Sequence, residues 1–135
     1  MIRVVIDTNI LVSALLKPRG IPAAIMVLAL SRRVQLCVSE DVFAEYDEVI
    51  RRSRFNLPAD TIEGALRSIR RVGHWVKPTV HVEECTDPDD NIFLECAQAA
   101  EADHLVTGNL GHFPDRWKKT QVISAREFIE FLMTK

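Results

Sequence analysis

The sequence predicts an α/β protein in which helices cover both faces of a central parallel sheet of about five strands. Short apolar segments rich in β-branched residues alternate with longer segments of helical periodicity along the chain. The first segment, 2–6, is almost continuously apolar, as is typical of a parallel strand that is buried on both faces. With a length of 135 residues, we expect 1–135 to form a single domain with its own core.

The first half of the chain is expected to contain two strands and three helices. In order, these are a strand at 2–6, helices at 8–16 and 21–30, a strand at 35–38 and a helix from 40 to about 54. The turn at 17–20 separates the first two helices, and Pro22 suits the first turn of the second. Ser39 is the predicted N-cap of the third helix, and Glu40 and Asp41 complement its dipole.

The second half repeats this alternation. We expect a helix from 58 to about 72, extended pieces at 75–76 and 80–82, a helix from 87 onward, strands at 104–107 and 121–123, and a helix at 125–133. Asp87 is the predicted N-cap of the helix that begins there, with Pro88 at its first position. Asp90 then falls in the first turn, where an acid favours the helix dipole.

Composition excludes several classes of protein. The net charge of −2 and ordinary hydrophobic content fit a globular domain. No run approaches the roughly 18 apolar residues of a membrane span, and the early Asp7 argues against a signal peptide. The cysteines have no paired spacing, which favours reduced thiols. We therefore expect a cytoplasmic protein with no membrane partner.

Polar residues follow the predicted strands at the sheet edge where parallel α/β proteins bind ligands. Asp7 ends the first strand, Asn109 follows the strand at 104–107, and Asp90 lies in an acidic helix start with Asp87 and Asp89. Glu45 lies beside the apolar stripe of the third helix. Each acid also has a simpler interpretation: Asp7 and Asp90 as helix caps, Glu45 as a solvated residue.

Together these oxygen ligands favour Mg²⁺ or Mn²⁺, which carboxylates bind while the ion keeps several waters. The histidines have no zinc spacing, and there is no nucleophile elbow, P-loop or dinucleotide fingerprint. The acids therefore predict metal-dependent chemistry.

Several motifs in order resemble the PIN domain family, more narrowly its bacterial and archaeal toxins of toxin–antitoxin systems. They are DTN at 7–9, FAEYDEVIRR at 43–52, DPDDNIFLECA at 87–97 and LVTGN at 105–109. The resemblance implies a three-layer Rossmann-like fold and a Mg²⁺- or Mn²⁺-dependent endoribonuclease that cleaves single-stranded RNA. It also implies an antitoxin partner and a possible homodimer.

The resemblance also implies residue roles. It makes Asp7, Glu45 and Asp90 the catalytic and metal-binding acids, with Asn109 as a further metal ligand. Thr8, Asn9, Asp87 and Thr107 are the expected supporting residues. Asn109 departs from the family, which commonly has an aspartate there, so a second cation should be held more weakly. His112 is a candidate phosphate contact or a packing residue.

RNA is expected to contact basic side chains, chiefly Arg51, Arg52 and Arg54 at the end of the third helix. Their alternative interpretation is helix-end solvation. Two other functions stay open. Because of Asn109, the chain is alternatively a catalytically weak PIN-like module that binds other proteins. An aspartate-based phosphotransfer enzyme is a further alternative, although the DxD pattern of one such class is absent after Asp7.

Overall fold

The computed structural model describes residues 1–134 and contains a six-stranded sheet between helices. The strands are β1 (Arg3–Ile6), β2 (Gln35–Val38), β3 (His74–Trp75), β4 (His104–Val106), β5 (Arg116–Trp117) and β6 (Thr120–Ile123). The helices are α1 (Thr8–Leu16), α2 (Ile21–Leu30), α3 (Glu40–Ile50), α4 (Ala59–Val72), α5 (Asn91–Ala100) and α6 (Ala125–Met133). Short 3-10 helices cover Ser53–Phe55, Pro88–Asp90 and Leu110–His112.

The sheet order is β3-β2-β1-β4-β6-β5, and every neighbouring pair is parallel except β5 with β6. The predicted α/β class with central parallel strands is therefore confirmed. The antiparallel edge strand β5 was not predicted, since two residues carry no periodicity. It pairs with β6 through a tight turn at Lys118, which has a positive φ of 55°.

Three segments differ from the prediction. The third helix ends at Ile50, because the chain turns into a 3-10 helix closed by Asn56 in the left-handed conformation. No strand forms at 80–82; the Val82 amide instead donates to the Glu95 carboxylate at 3.0 Å. The segment expected to begin a helix at Asp87 is a 3-10 turn first, and α5 starts at Asn91.

The core lies on both faces of the central strands. Residues Val4 to Ile6 of β1 and Leu105 and Val106 of β4 are almost completely buried, as a strand covered on both faces requires. Tyr46, Phe93 and Phe128 are the largest fully buried side chains. Within residues 1–134 no single helix is long and apolar enough to cross a membrane, and α1 with α2 reaches that length only as a pair bent by 105°.

His104 is a buried titratable side chain at the start of β4. Its ring packs edge-on against Phe128 and Phe131, with ring centroids 5.5 and 4.7 Å apart. Its Nδ1 is buried and has no hydrogen-bond partner among residues 1–134. Burial lowers the pKa of His104 below its ordinary value of 6.5, and Asp103 opposes this only in part.

We expect this histidine to destabilise the protein at mildly acidic pH. The His104 side chain binds a proton at higher pH in the unfolded chain than in the folded one. The free energy of unfolding therefore carries no penalty from His104 above pH 6.5, and it decreases as the pH falls below that value. Melting curves of the native protein and His104→Phe from pH 7.5 to 5 should diverge below pH 6.5. The exposed His81 supplies the control His81→Gln, whose curve should follow the native one. Parallel curves for His104→Phe would contradict the prediction.

Candidate active site

Asp7 lies directly after β1, where its backbone joins the end of β4. The Asp7 amide donates to the Val106 carbonyl at 2.9 Å, and its side chain is only 6% exposed. The carboxylate Oδ2 accepts a hydrogen bond from Thr107 Oγ1 at 2.7 Å. Although Asp7 occupies the N-cap position of α1, its side chain makes no capping hydrogen bond. The capping interpretation of Asp7 is therefore not supported.

The loop after β4 holds this carboxylate in place. Thr107 is fully buried, and its Oγ1 also accepts from the Asn109 amide at 2.9 Å. Asn9 Oδ1 accepts from the Gly108 amide at 3.2 Å, which ties the first turn of α1 to the same loop. Thr8 is buried as well, but its Oγ1 has no hydrogen-bond partner within residues 1–134. Thr107 and Asn9 thus orient the polar groups around Asp7.

Glu45 is positioned through the residue that follows it. The Tyr46 hydroxyl donates to the Ile6 carbonyl at 2.5 Å, so α3 is fastened to the carboxyl end of β1. Partial burial raises the pKa of Glu45, and the neighbouring carboxylates of Glu48 and Asp89 raise it further. Asp7 adds to this repulsion.

Asp90 ends the 3-10 turn and faces Asp7. Burial raises its pKa to about 6, and the negative charges of Asp7 and Asp87 contribute to the rise. Its Oδ2 is buried and has no hydrogen-bond partner in the described chain; His112 Nδ1 is 3.6 Å away. Asp90 caps no helix with its side chain, whereas Asp87 accepts from the Asp89 amide at 3.0 Å.

The predicted acids share one open cavity of about 460 Å³, called here the acid cavity. It is lined by Asp7, Thr8, Asn9, Val12, Ser13, Leu16, Lys17, Glu45, Val49, Arg52, Arg54, Phe55, Asp90 and Asn109. A second, smaller cavity of about 230 Å³ is mainly apolar and lies between α1, α2 and α4, away from these acids. Asp87 does not line the acid cavity and acts locally on the turn before α5.

The acids do not form a compact metal cage. Within residues 1–134, no three side chains among His, Cys, Asp and Glu are close enough to hold an ion by themselves. Mg²⁺, however, is commonly held by only one or two carboxylates and keeps several waters. Oδ2 of Asp90 is buried and has no hydrogen-bond partner in the described residues, and the pKa of Asp90 is raised by burial and then by the charges of Asp7 and Asp87. This donor set fits a hydrated divalent cation.

The arginines that were predicted to contact RNA line two different cavities. Arg52 and Arg54 line the acid cavity. Arg51 does not; it contacts Asp47 and Glu63 in a separate cavity between α3 and α4. Arg52 is paired with Glu48, with 2.6 Å between Nη2 and Oε1. Six residues that line the acid cavity were not predicted as site residues: Val12, Ser13, Leu16, Lys17, Val49 and Phe55. Lys17 was assigned only to a turn, and Phe55 follows a helix that ends earlier than expected.

These observations define the class of the protein: a Rossmann-like α/β domain with a carboxylate-lined cavity at the carboxyl ends of its central strands. The family description "PIN domain" matches residues 3–111, and the chain therefore belongs to the PIN domain family. PIN domains are generally nucleases. The predicted family is thus confirmed.

Two known proteins are similar to this chain. An uncharacterized protein of Methanocaldococcus jannaschii is 30% identical over 113 residues, which cover 80% of this chain and 71% of that protein. The fold also resembles a chain in the crystal structure of VapBC2 from Rickettsia felis bound to a DNA fragment from their promoter. That alignment has a TM-score of 0.58 and 16% identity, and covers 91% of this chain and 98% of the other.

Proposed function

We propose that this protein is a Mg²⁺- or Mn²⁺-dependent endoribonuclease that cleaves single-stranded RNA. The observation that carries the proposal is the buried, unpartnered Oδ2 of Asp90 in a cavity that Asp7 and Glu45 also line. Buried carboxylates repel one another unless a cation compensates them. Family membership supplies independent support, because PIN domains are generally nucleases that typically use divalent metals.

Asp7 and Asp90 are the residues proposed to hold the cation directly, with Glu45 and Asn109 completing the site. When bound, the cation would supply Lewis-acid stabilisation of charge on the phosphodiester and a more acidic bound water. Thr107 donates to Asp7 Oδ2 and so fixes the orientation of this carboxylate. Asn9 fixes the loop that carries Asn109.

Binding of RNA requires cations, since the acids alone repel a phosphate backbone. Arg52 and Arg54 are the predicted contacts that line the acid cavity. Arg51 is a weaker candidate, because Asp47 and Glu63 already compensate its charge. His112, whose Nδ1 is 3.6 Å from Asp90 Oδ2, is proposed to contact a phosphate at the edge of the site.

We further propose that the protein is the toxin of a toxin–antitoxin pair, with an antitoxin protein as its partner. The similarity in fold to a chain of VapBC2 supports this assignment. A homodimer and a cytoplasmic location stay predictions. A test is co-expression of the gene with the reading frame next to it: growth arrest by this protein alone, relieved by the neighbour, is expected.

Removal of the metal tests the nuclease directly. With excess EDTA, cleavage of a fluorescent single-stranded RNA should stop, and Mg²⁺ or Mn²⁺ added beyond the chelator should restore it. The same ions should raise the melting temperature, because they bind only the folded arrangement of the acids. NaCl titrated to the same ionic strength checks that the thermal shift is not a general effect of salt. Cleavage that persists in protein shown to be free of metal would refute the proposal.

The second candidate is a catalytically weak protein-interaction module, which Asn109 favours because it removes one acid from the expected set. On this alternative, Mn²⁺ affinity would be low and would not depend on Asp90. Calorimetric Mn²⁺ titration of the native protein and Asp90→Asn separates the two functions. The nuclease proposal expects measurable affinity that the substitution removes.

A further inference from the structure

The acid cavity contains two cations that no acid compensates. Among residues 1–134, Arg51 and Arg52 form ion pairs with Asp47, Glu63 and Glu48. Lys17 and Arg54 also line or border this region, and neither forms a salt bridge within those residues. Free positive charge beside the carboxylates is therefore confined to the end of α1 and to the 3-10 helix after α3.

The same side of the cavity is apolar. Val12 and Leu16 of α1, Val49 of α3 and Phe55 also line the cavity, and Leu16 remains 45% exposed. The guanidinium carbon of Arg54 lies 4.7 Å from the centroid of the Phe55 ring. Phe55 is half-buried against the core, so its ring is held in place. This stacked pair is called here the Arg54–Phe55 platform.

We propose that this side of the acid cavity is a nucleotide subsite, in which one base of a single-stranded RNA stacks on the Arg54–Phe55 platform. Lys17 and Arg54 would bind the phosphates that flank this base. The proposal rests on the proposed function, since it names how the substrate lies beside the carboxylates. Single-stranded nucleic acids are held in this way, through bases stacked on aromatic rings or guanidinium planes and phosphates bound by nearby cations.

The combination excludes simpler ligands. An inorganic phosphate would use the two cations but not the apolar wall, and an apolar side chain would use the wall but leave Lys17 and Arg54 uncompensated. Double-stranded RNA keeps its bases within the helix, so none is free to stack on the platform. The cavity, at about 460 Å³, is in the size range of small-ligand sites.

Binding is best measured with an RNA of about ten nucleotides that contains one 2-aminopurine, in the Asp7→Asn background so that the strand stays intact. Stacking on the platform should quench the 2-aminopurine fluorescence. Phe55→Leu keeps the apolar volume but removes the aromatic face, and should weaken binding about ten-fold and reduce the quenching. Phe55→Trp should retain both. An RNA with an abasic site in place of the stacked base should bind with equal affinity to the proteins that carry Leu and Phe at position 55.

The phosphate contacts are tested by the salt dependence of binding. Lys17→Gln and Arg54→Gln should each reduce the slope of log Kd against log salt concentration by about 0.7, the value for one phosphate contact to a single strand. Arg33→Gln, at the exposed turn before β2 and the opposite edge of the sheet, is the matched control and should leave the slope unchanged.

Different results would contradict the proposed subsite and the proposed nuclease function. If RNA binds with these dependences but the native protein never cleaves it, the subsite stands and the proposed function is wrong. If the native protein cleaves RNA while Phe55→Leu leaves affinity and quenching unchanged, the nuclease stands and the subsite is wrong. Equal slopes for Lys17→Gln, Arg54→Gln and the control would also overturn the subsite.

Discussion

Replacing Asp7 by Asn is expected to lower RNA cleavage by more than about a hundred-fold, beyond the loss typical of residues that only support a metal ligand. The same substitution should raise the melting temperature in metal-free buffer at neutral pH by at least about 4 °C, which corresponds to about 1 kcal/mol in a domain of this size. Both results have one cause. Asp7 is a nearly buried carboxylate whose charge is useful for binding a cation and unfavourable without it.

The direction of the stability change follows from the pKa. Burial raises the pKa of Asp7, and the hydrogen bonds from Thr107 and the Thr8 amide oppose this only in part. An acid whose folded-state pKa is raised stabilises the fold at low pH and loses that contribution as the pH rises through the folded pKa. Asn removes the charge, while its amide oxygen still accepts the hydrogen bond from Thr107.

The measurements are RNA cleavage with saturating Mn²⁺ and melting curves in EDTA, each with Asp115→Asn as an exposed control. The control should match the native protein in both. In EDTA, the native protein should also lose stability relative to Asp90→Asn as the pH rises from about 4 to 6, where Asp90 ionises with its pKa of about 6. An inactive Asp7→Asn protein that melts below the native one would show that Asp7 is mainly structural.

Part of this site follows from the sequence because parallel strands bring their carboxyl ends to one edge. Asp7 after β1 and Asn109 after β4 are neighbours for that reason, since β1 and β4 pair directly with Ile6 opposite Val106. Glu45 required the additional fact that Tyr46, the next residue, is buried and bonded to β1. A helical stripe could place Tyr46 inside, but it could not identify the carbonyl that Tyr46 contacts.

The remaining features depend on contacts that no local pattern encodes. Phe55 reaches the cavity because α3 ends early at Ile50: Arg52 is extended, and a 3-10 helix follows that Asn56 closes in the left-handed conformation. Arg51 and Arg54 are alike in sequence, yet Glu63 of α4 and Asp47 compensate only Arg51. Which arginine remains free is decided by the packing of α4 on α3, which the sequence does not reveal.

The second large effect is expected from Asn109→Asp, which adds a carboxylate where the resemblance to PIN domains predicts an aspartate. Asn109 lines the acid cavity, and its amide is already fixed by Thr107. Two unit charges about 4 Å apart interact by about 1 kcal/mol in water and about 4 kcal/mol at an effective dielectric constant of 20. We therefore expect Mn²⁺ affinity to rise by between about five-fold and nearly a thousand-fold. Metal-free stability should fall, because another carboxylate joins Asp7 and Asp90.

Calorimetry of Mn²⁺ binding and melting curves in EDTA measure the two effects on the same protein. Gln121→Glu adds the same charge on β6, opposite His104 at the amino end of β4, and controls for net charge. Cleavage should increase with affinity only if weak binding of the cation limits the rate of the native enzyme. If Asn109→Asp leaves the Mn²⁺ affinity unchanged, the side chain at position 109 does not contact the cation. Asparagine in place of the expected aspartate would then have no bearing on catalysis. If the variant binds Mn²⁺ more tightly but is less stable without metal, the native Asn109 weakens metal binding and stabilises the metal-free fold.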